Sequence, residues 1–171
     1  DKAEQAVVIG VERKKGDKVL PFTYLRVEKI NAELKSGSLL FDETGKAVAF
    51  YYTDHDEQNT QGYAIRVEAV ERAHADYVKN ITLSRAWAGL IVSSTGTVPE
   101  IVSVRPDSPA SQAGIKIGDI LIQVGEHKVY SYLEAVNAFY YLIPGVEQNF
   151  TVLRGGEEET FAVTPLSRDS L

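Results

Sequence analysis

The chain has 171 residues, enough for one large domain or two small ones, and its 44% hydrophobic and 25% charged content is ordinary globular composition that excludes a disordered chain. A net charge of −6 without a basic block argues against nucleic acid or an anionic membrane as main partner, and no apolar run approaches the ~20 residues that span a bilayer. Cysteine and methionine are both absent, which excludes disulfides and thiolate metal sites; with no signal peptide at Asp1, the expectation is a mature or excised segment.

In chain order, Ala6 to Val11 reads as a first strand and Lys14-Lys15-Gly16-Asp17 as a polar turn. Val19 to Ile30 is extended, with Pro21 favouring an edge or bend. Arg26, Glu28 and Lys29 interleave with Leu25, Val27 and Ile30, so one face is wet. Ser36-Gly37 precedes the apolar Leu39-Leu40-Phe41-Asp42, and Glu43-Thr44-Gly45-Lys46 is a hairpin turn. Ala47 to Thr53 is a strand, Asp54 to Gln61 a polar loop, and Gly62-Tyr63-Ala64-Ile65 a short strand. Val67, Val70, Ala73 or His74, and Tyr77 or Val78 then follow helical spacing to Lys79.

Asn80 to Ser84 reads as a linker. Arg85 to Val92 carries a glycine, Gly89, ahead of the strand-like Leu90-Ile91-Val92, and Ile101 to Val104 is a further strand. In Arg105-Pro106-Asp107-Ser108-Pro109-Ala110, Ser108 is placed to cap a helix whose first position is Pro109. That helix stops at Gly114, and Lys116-Ile117-Gly118-Asp119 turns the chain into the strand Ile120 to Val124. Ser131 to Leu142 is a second helix, capped by Ser131, with Leu133, Val136 and Tyr140 on one stripe and Ala135, Phe139 and Leu142 toward the core. Two last strands, Gln148 to Arg154 and Glu159 to Val163, flank a Gly155-Gly156 turn, and Thr164 to Leu171 is expected to fray.

Ser108-Pro109-Ala110, Ala113-Gly114-Ile115 and Gly118-Asp119-Ile120-Leu121, in that order, resemble a PDZ domain of the bacterial type. The first half resembles the C-terminal barrel of a trypsin-like protease of the HtrA family. Three matches carry this: Ser36-Gly37 with Leu40-Phe41-Asp42 at the nucleophile motif, the hairpin from Asp42 to Phe50, and Gly62-Tyr63-Ala64-Ile65 before a linking helix. The fold implied is mainly β with short helices. A degenerate trypsin-like C-terminal barrel, or half protease, covers 1–80, a PDZ domain 81–166 and a tail 167–171.

The departures bear on chemistry. Leu34-Lys35 and Ser38-Leu39 replace the glycine-rich neighbours of the family's serine, and Arg66 replaces a proline. An oxyanion hole needs backbone amides aimed at the developing charge, in conformations that leucine resists. No histidine precedes Ser36, and a serine hydroxyl without a base is a poor nucleophile. Ser36 is therefore either the nucleophile of a longer protease or a turn serine in a barrel that no longer cuts. The second reading is the one adopted. The alternative is a fragment of an active HtrA-type serine endopeptidase whose His/Asp half lies outside this chain. Asp54-His55-Asp56-Glu57 is read as a solvated acidic loop rather than a metal site, His74 as a packing or surface residue, and His127, in the turn after Gly125, as solvated. No metal and no cofactor are expected.

Arg85 to Val92 resembles the entry to an HtrA-type PDZ domain, in which Ala88-Gly89-Leu90 falls on the carboxylate-binding loop. The resemblance implies that Ala88, Gly89 and Leu90 present amides to a peptide C-terminus, and that Leu90, Ile91 and Val92 offer an edge to which it adds as a strand. Leu133, Val136 and Tyr140 are expected to line the facing groove wall. The expected partners are peptide or protein C-termini with a hydrophobic last residue, bound with micromolar affinity. A homo-oligomer or a missing protease half is the further partner considered. A third reading is a structural piece whose groove is filled by its own chain. The resembling family places the chain in the periplasm or among secreted proteins. A bulky β-branched residue at Gly89 is expected to abolish binding and leave the fold intact.

Overall fold

The computed structural model describes residues 6–12, 23–29, 33–52, 61–80 and 83–168. The turn expected at Lys14 to Asp17, Pro21, and the loop holding Asp54, His55, Asp56 and Glu57 lie outside them. The chain divides into two units, Asp1–Ile81 and Thr82–Leu171.

The first unit is a curled, half-barrel sheet of five antiparallel strands in the order β1-β2-β5-β4-β3. The strands are β1 (Ala6–Glu12), β2 (Tyr24–Lys29), β3 (Leu39–Phe41), β4 (Ala47–Tyr52) and β5 (Gln61–Arg66), followed by helix α1 (Val67–Asn80). Alternation is clear in β4 and broken at the start of β2, where Tyr24 and Leu25 are both buried. In β2, Leu25 and Val27 are buried while Glu28 is exposed, and in β4, Ala49 and Tyr51 are buried. With Ala64 these side chains form the core, and Leu34 and Leu40 pack against it. Tyr24, Tyr52 and Tyr63 meet ring to ring at 5.7–6.4 Å. Gly62 is required by packing: a Cβ there would fall on the ring of Tyr51.

The β3–β4 turn is set by one carboxylate. Asp42 Oδ1 accepts from the Thr44 amide at 2.9 Å, the Thr44 hydroxyl at 2.6 Å and the Lys46 amide at 3.0 Å. Those bonds, the Thr44 hydroxyl foremost, hold the Asp42 carboxyl below its usual range. Gly45, at φ +83°, supplies the left-handed residue that the loop needs.

The second unit has a four-stranded antiparallel sheet in the order β10-β9-β11-β12 and two two-stranded pairs, β7-β8 and β6-β13. Its elements are β6 (Ala86–Trp87), β7 (Leu90–Val92), β8 (Ile101–Val104), α2 (Pro109–Ala113), β9 (Ile120–Val124), β10 (His127–Lys128), α3 (Tyr132–Tyr140), β11 (Gln148–Arg154), β12 (Glu157–Val163) and β13 (Leu166–Ser167). Ile101, Leu121, Phe150 and Val152 are fully buried at the centre of its core, which also takes in Ala110, Ile115, Val129 and Ala138. Both helices start as their residues dictate. The Ser108 hydroxyl accepts from the Ser111 amide at 3.2 Å, and the Ser131 hydroxyl from the Glu134 amide at 3.4 Å. Glu134 reaches back past the cap and accepts from the Tyr130 amide at 2.7 Å, fixing the chain as it enters the helix.

Two sequence expectations are corrected. β12 begins at Glu157 rather than Glu159, because Gly155 and Gly156 both take positive φ and form a two-residue turn that pairs Arg154 with Glu157 directly. The expected frayed stretch from Thr164, with its tail from Ser167, is instead ordered at its start. Leu166 and Ser167 pair with Trp87 and Ala86, the Arg168 amide donates to the Arg85 carbonyl at 2.8 Å, and the Gly145 amide to the Pro165 carbonyl at 2.8 Å. The β6 edge would otherwise leave main-chain groups unpaired, and the chain end satisfies them.

Candidate functional site

The loop ahead of β7 is held by its carbonyls. The Gly89 carbonyl accepts from the Arg105 amide at 2.7 Å and from the Ser108 hydroxyl at 3.5 Å. The Ala88 carbonyl accepts from the Ala110 amide at 2.9 Å. The start of α2 and the end of β8 thus pull both carbonyls inward. Among the described residues, the amides of Ala88 and Gly89 donate to no protein group. Gly89 sits at φ +83°, and a Cβ there would collide with the Ser108 Cβ and stand 2.6 Å from its Oγ. The glycine is therefore demanded by conformation and space together. A side chain at 89 would displace the α2 cap, which corrects the expectation that a substitution there spares the fold.

β7 pairs on one side only. Leu90 stands opposite Val104 and Ile91 opposite Ser103, and the register shifts before Val92 and Ile101, leaving Val102 as the extra residue of a bulge. Main-chain groups alternate between the two edges of a strand. The Gly89 carbonyl and the Ser93 amide both bond toward β8, so Leu90 and Val92 turn their N–H and C=O groups to the other edge. Among the described residues no strand pairs with that edge. Side chains alternate as well: Val92 is buried, Leu90 packs on the core, and Ile91 is 60% exposed.

On α3, Ala135 and Ala138 are buried and Phe139 stacks on Phe150 with centroids 6.3 Å apart, and Leu142, just past the helix end, is buried too. Leu133, Val136 and Tyr140 are half-buried and stand outside that core. Helical spacing puts these three on a separate stripe.

Ser36 lies in the other unit, exposed in a tight turn. The Ser38 amide donates to the Lys35 carbonyl at 2.9 Å, and the Lys35 amide to Ser38 Oγ at 3.1 Å. The Gly37 amide donates to the Tyr51 carbonyl at 2.8 Å. The amides of Lys35, Gly37 and Ser38 are thereby committed to the turn and to β4. His74 is exposed on α1, and His127 stacks on Tyr141 at 4.7 Å beside a cavity of about 230 Å3 between the β9–β10 turn and the end of α3. That cavity contains none of residues 88–92. Among the described residues no three His, Asp or Glu side chains gather as metal ligands, and no helix is long and apolar enough to cross a membrane.

Sequence reasoning missed one cluster. Asp119, 2% exposed, accepts from Arg154 through both oxygens at 2.7 Å and from the Lys116 amide at 2.8 Å. Arg154 also bonds the Gly114 carbonyl at 2.9 Å and Glu159 at 2.8 Å, and lies over the Phe161 ring. Burial pushes the Asp119 carboxyl up, but the Arg154 and Lys116 donors outweigh it and hold it below its ordinary value. Asp119 in turn raises Arg154. The network ties the turn after α2 to β11 and so steadies the helix that holds the loop carbonyls.

Residues 66–164 match the PDZ_2 family model, described as a PDZ domain. The chain belongs to the PDZ family. Its wider kinship is with HtrA-type proteins. It is 26% identical over 145 residues to "Probable periplasmic serine endoprotease DegP-like" of Halomonas elongata, covering 75% of this chain and 30% of that protein. It is 38% identical over 65 residues to "Serine protease HTRA1" of Xenopus tropicalis, covering 38% and 14%. The chain thus spans less than a third of the length of these relatives. Among solved structures, "HtrA-type protease AlgW with tripeptide" superposes with a TM-score of 0.59 at 15% identity, over 96% of this chain and 60% of that one. "HtrA-type protease AlgW with decapeptide" gives 0.58 at 17%, over 95% and 55%. At these identities the likeness is one of fold. It extends over both units, half-barrel and PDZ domain alike.

Proposed function

We propose that the PDZ unit binds the C-termini of peptides or proteins by adding them as an extra strand to β7. The observation that carries this reading is the unpaired outer edge of β7 running on from the undonated amides of Ala88 and Gly89. Such amides accept a carboxylate without a cationic side chain, and the edge supplies the ladder. Leu133, Val136 and Tyr140 form the facing wall and favour a hydrophobic last residue. Solved structures of similar fold were obtained with a tripeptide and a decapeptide, which supports the same use here. A ladder this short makes a small interface, so the dissociation constant is about micromolar. A peptide ending in free leucine should bind at least about tenfold more tightly than its amide, because the amide gives up the charge that the loop amides attract. Equal affinities would overturn the proposal.

We further propose that this chain does not cut peptides. The amides of Lys35, Gly37 and Ser38, committed to the turn and to β4, support this. Casein turnover that disappears in Ser36→Ala would sink it. The second reading, a portion of an active serine endopeptidase, is favoured by the names of the relatives, and casein turnover lost in Ser36→Ala would support it. For the half-barrel we propose a homo-oligomeric partner or a separate protease half, supported by Val7, Val8 and Val11 standing exposed on the edge strand β1. A strictly monomeric mass by light scattering at high micromolar concentration would remove the oligomer. The DegP-like relatives are named periplasmic, and a periplasmic or secreted location is proposed on that ground. Recovery in the cytoplasmic fraction alone would refute it.

A further inference from the structure

We propose that the exposed side chain of Ile91, with Val102 beside it, selects the penultimate residue of the bound C-terminus in favour of apolar, β-branched side chains. This rests on strand addition to β7 and follows from its register. A carboxylate held by the amides that end at Leu90 places the last residue of the ligand opposite Leu90, whose N–H and C=O face the open edge. The ligand runs antiparallel, so its penultimate residue stands opposite Ile91 and the one before it opposite Val92. Paired residues on adjacent strands project to the same face. The last residue and the third from the end therefore point inward with Leu90 and Val92, toward the core side. The penultimate residue points outward with Ile91.

That outward face is apolar where most exposed strand faces are polar. Ile91 is 60% exposed, and Val102, the extra residue of the bulge in β8, is 45% exposed. Ser103, opposite Ile91, carries no charge. Without a ligand, the outward side chain of Ile91 lies over an unfilled strand position. A valine or isoleucine added there completes a cross-strand apolar pair, whereas an aspartate meets only apolar surface. The ladder ends one step further on, because β7 ends at Val92. Selection on the outer face thus falls on the penultimate position.

The experiment uses the full chain and three ten-residue peptides ending in leucine as the free acid, with valine, glycine or aspartate in the penultimate position, plus the amidated valine peptide. Affinities come from fluorescence anisotropy. The unaltered protein should prefer valine over glycine by about two- to five-fold and over aspartate by more. Ile91→Lys, a change at an exposed site, should reverse the order so that aspartate binds best. An unchanged order in Ile91→Lys, or equal affinities of the three acids for the unaltered protein, overturns this inference while the acid-over-amide preference of the unaltered protein still stands. Equal binding of acid and amide by the unaltered protein removes strand addition itself, and this inference with it.

Discussion

Arg154→Leu should be among the most damaging single changes in the PDZ unit. Arg154 gives Asp119 two bonds at 2.7 Å, one to each oxygen, and its loss leaves that carboxylate, 2% exposed, with the Lys116 amide. Removing one partner of a buried pair costs about 3–5 kcal/mol, because the other charge stays in the interior. The Arg154 side chain is 24% exposed, so part of the pair's energy is already screened and the low end, about 3 kcal/mol, applies. For a domain of this size that lowers the melting temperature by roughly 12–24 °C. The one tryptophan, Trp87, lies in this unit and reports its unfolding separately. Asp119→Asn should cost less, about 1–2 kcal/mol, because Arg154 keeps Glu159 and reaches water. The pH dependence has a fixed sign. The folded carboxyl of Asp119 titrates below its unfolded value, so its contribution is complete above pH ~4 and disappears as pH falls through the folded pKa. In Arg154→Leu that carboxyl accepts a proton more readily, so the gap between variant and parent should narrow below pH ~4. A melting temperature within about 3 °C of the parent, or Asp119→Asn proving the worse change, would refute this reasoning.

Gly89→Val should lose more than about 3 kcal/mol, from a β-branched residue at positive φ and from collision with Ser108; a normal melt with binding lost would contradict the geometry. Gly62→Val should cost about 1–3 kcal/mol in the half-barrel by displacing Tyr51, read as loss of near-ultraviolet tyrosine dichroism. Ser108→Ala should lower stability by about 1 kcal/mol through the lost cap and weaken peptide binding as well. Unchanged peptide affinity in Ser108→Ala would separate the cap from the loop.

What could be read from the residues was whatever neighbours in sequence decide. Ser108, Pro109 and Gly114 announce both ends of α2 because capping is settled within a few residues. Asp42 and Gly45 announce their hairpin for the same reason. Four of the five half-barrel strands are legible as apolar runs between turns, while β3, three residues long, shows only as an apolar stretch, and the likeness to HtrA-type folds rests on three short motifs in order. Distant partners left no such mark. Arg154 reaches Asp119 across 35 positions, and nothing in Leu-Arg-Gly-Gly says so. The pairing of Leu166 and Ser167 with β6 is two residues long, too short for any period to show. Gly89 was recognised as a glycine that a loop needs, but the side chain filling its place, Ser108, is 19 residues away.

The same distances explain why the candidate site is robust in one half and exacting in the other. An anion held by main-chain amides asks little of the side chains in the loop, and Ala88 and Leu90 serve by having a backbone. Keeping those amides outward asks a great deal of the groups behind them. Arg105, Ser108 and Ala110 hold the two carbonyls, and Asp119 with Arg154 holds the turn that follows α2. On the proposed reading, recognition by the loop is a property of the α2 support more than of the loop's own side chains. The turn around Ser36 has the opposite economy: catalysis there needs a base, an oriented hydroxyl and open amides at once. The turn around Ser36 is built by Gly37 at φ +95° bonded to Tyr51 and by the paired bonds of Lys35 and Ser38, so its groups serve the sheet. The main-chain donors of Ala88 and Gly89 depend instead on Arg105, Ser108 and Ala110 of their own unit.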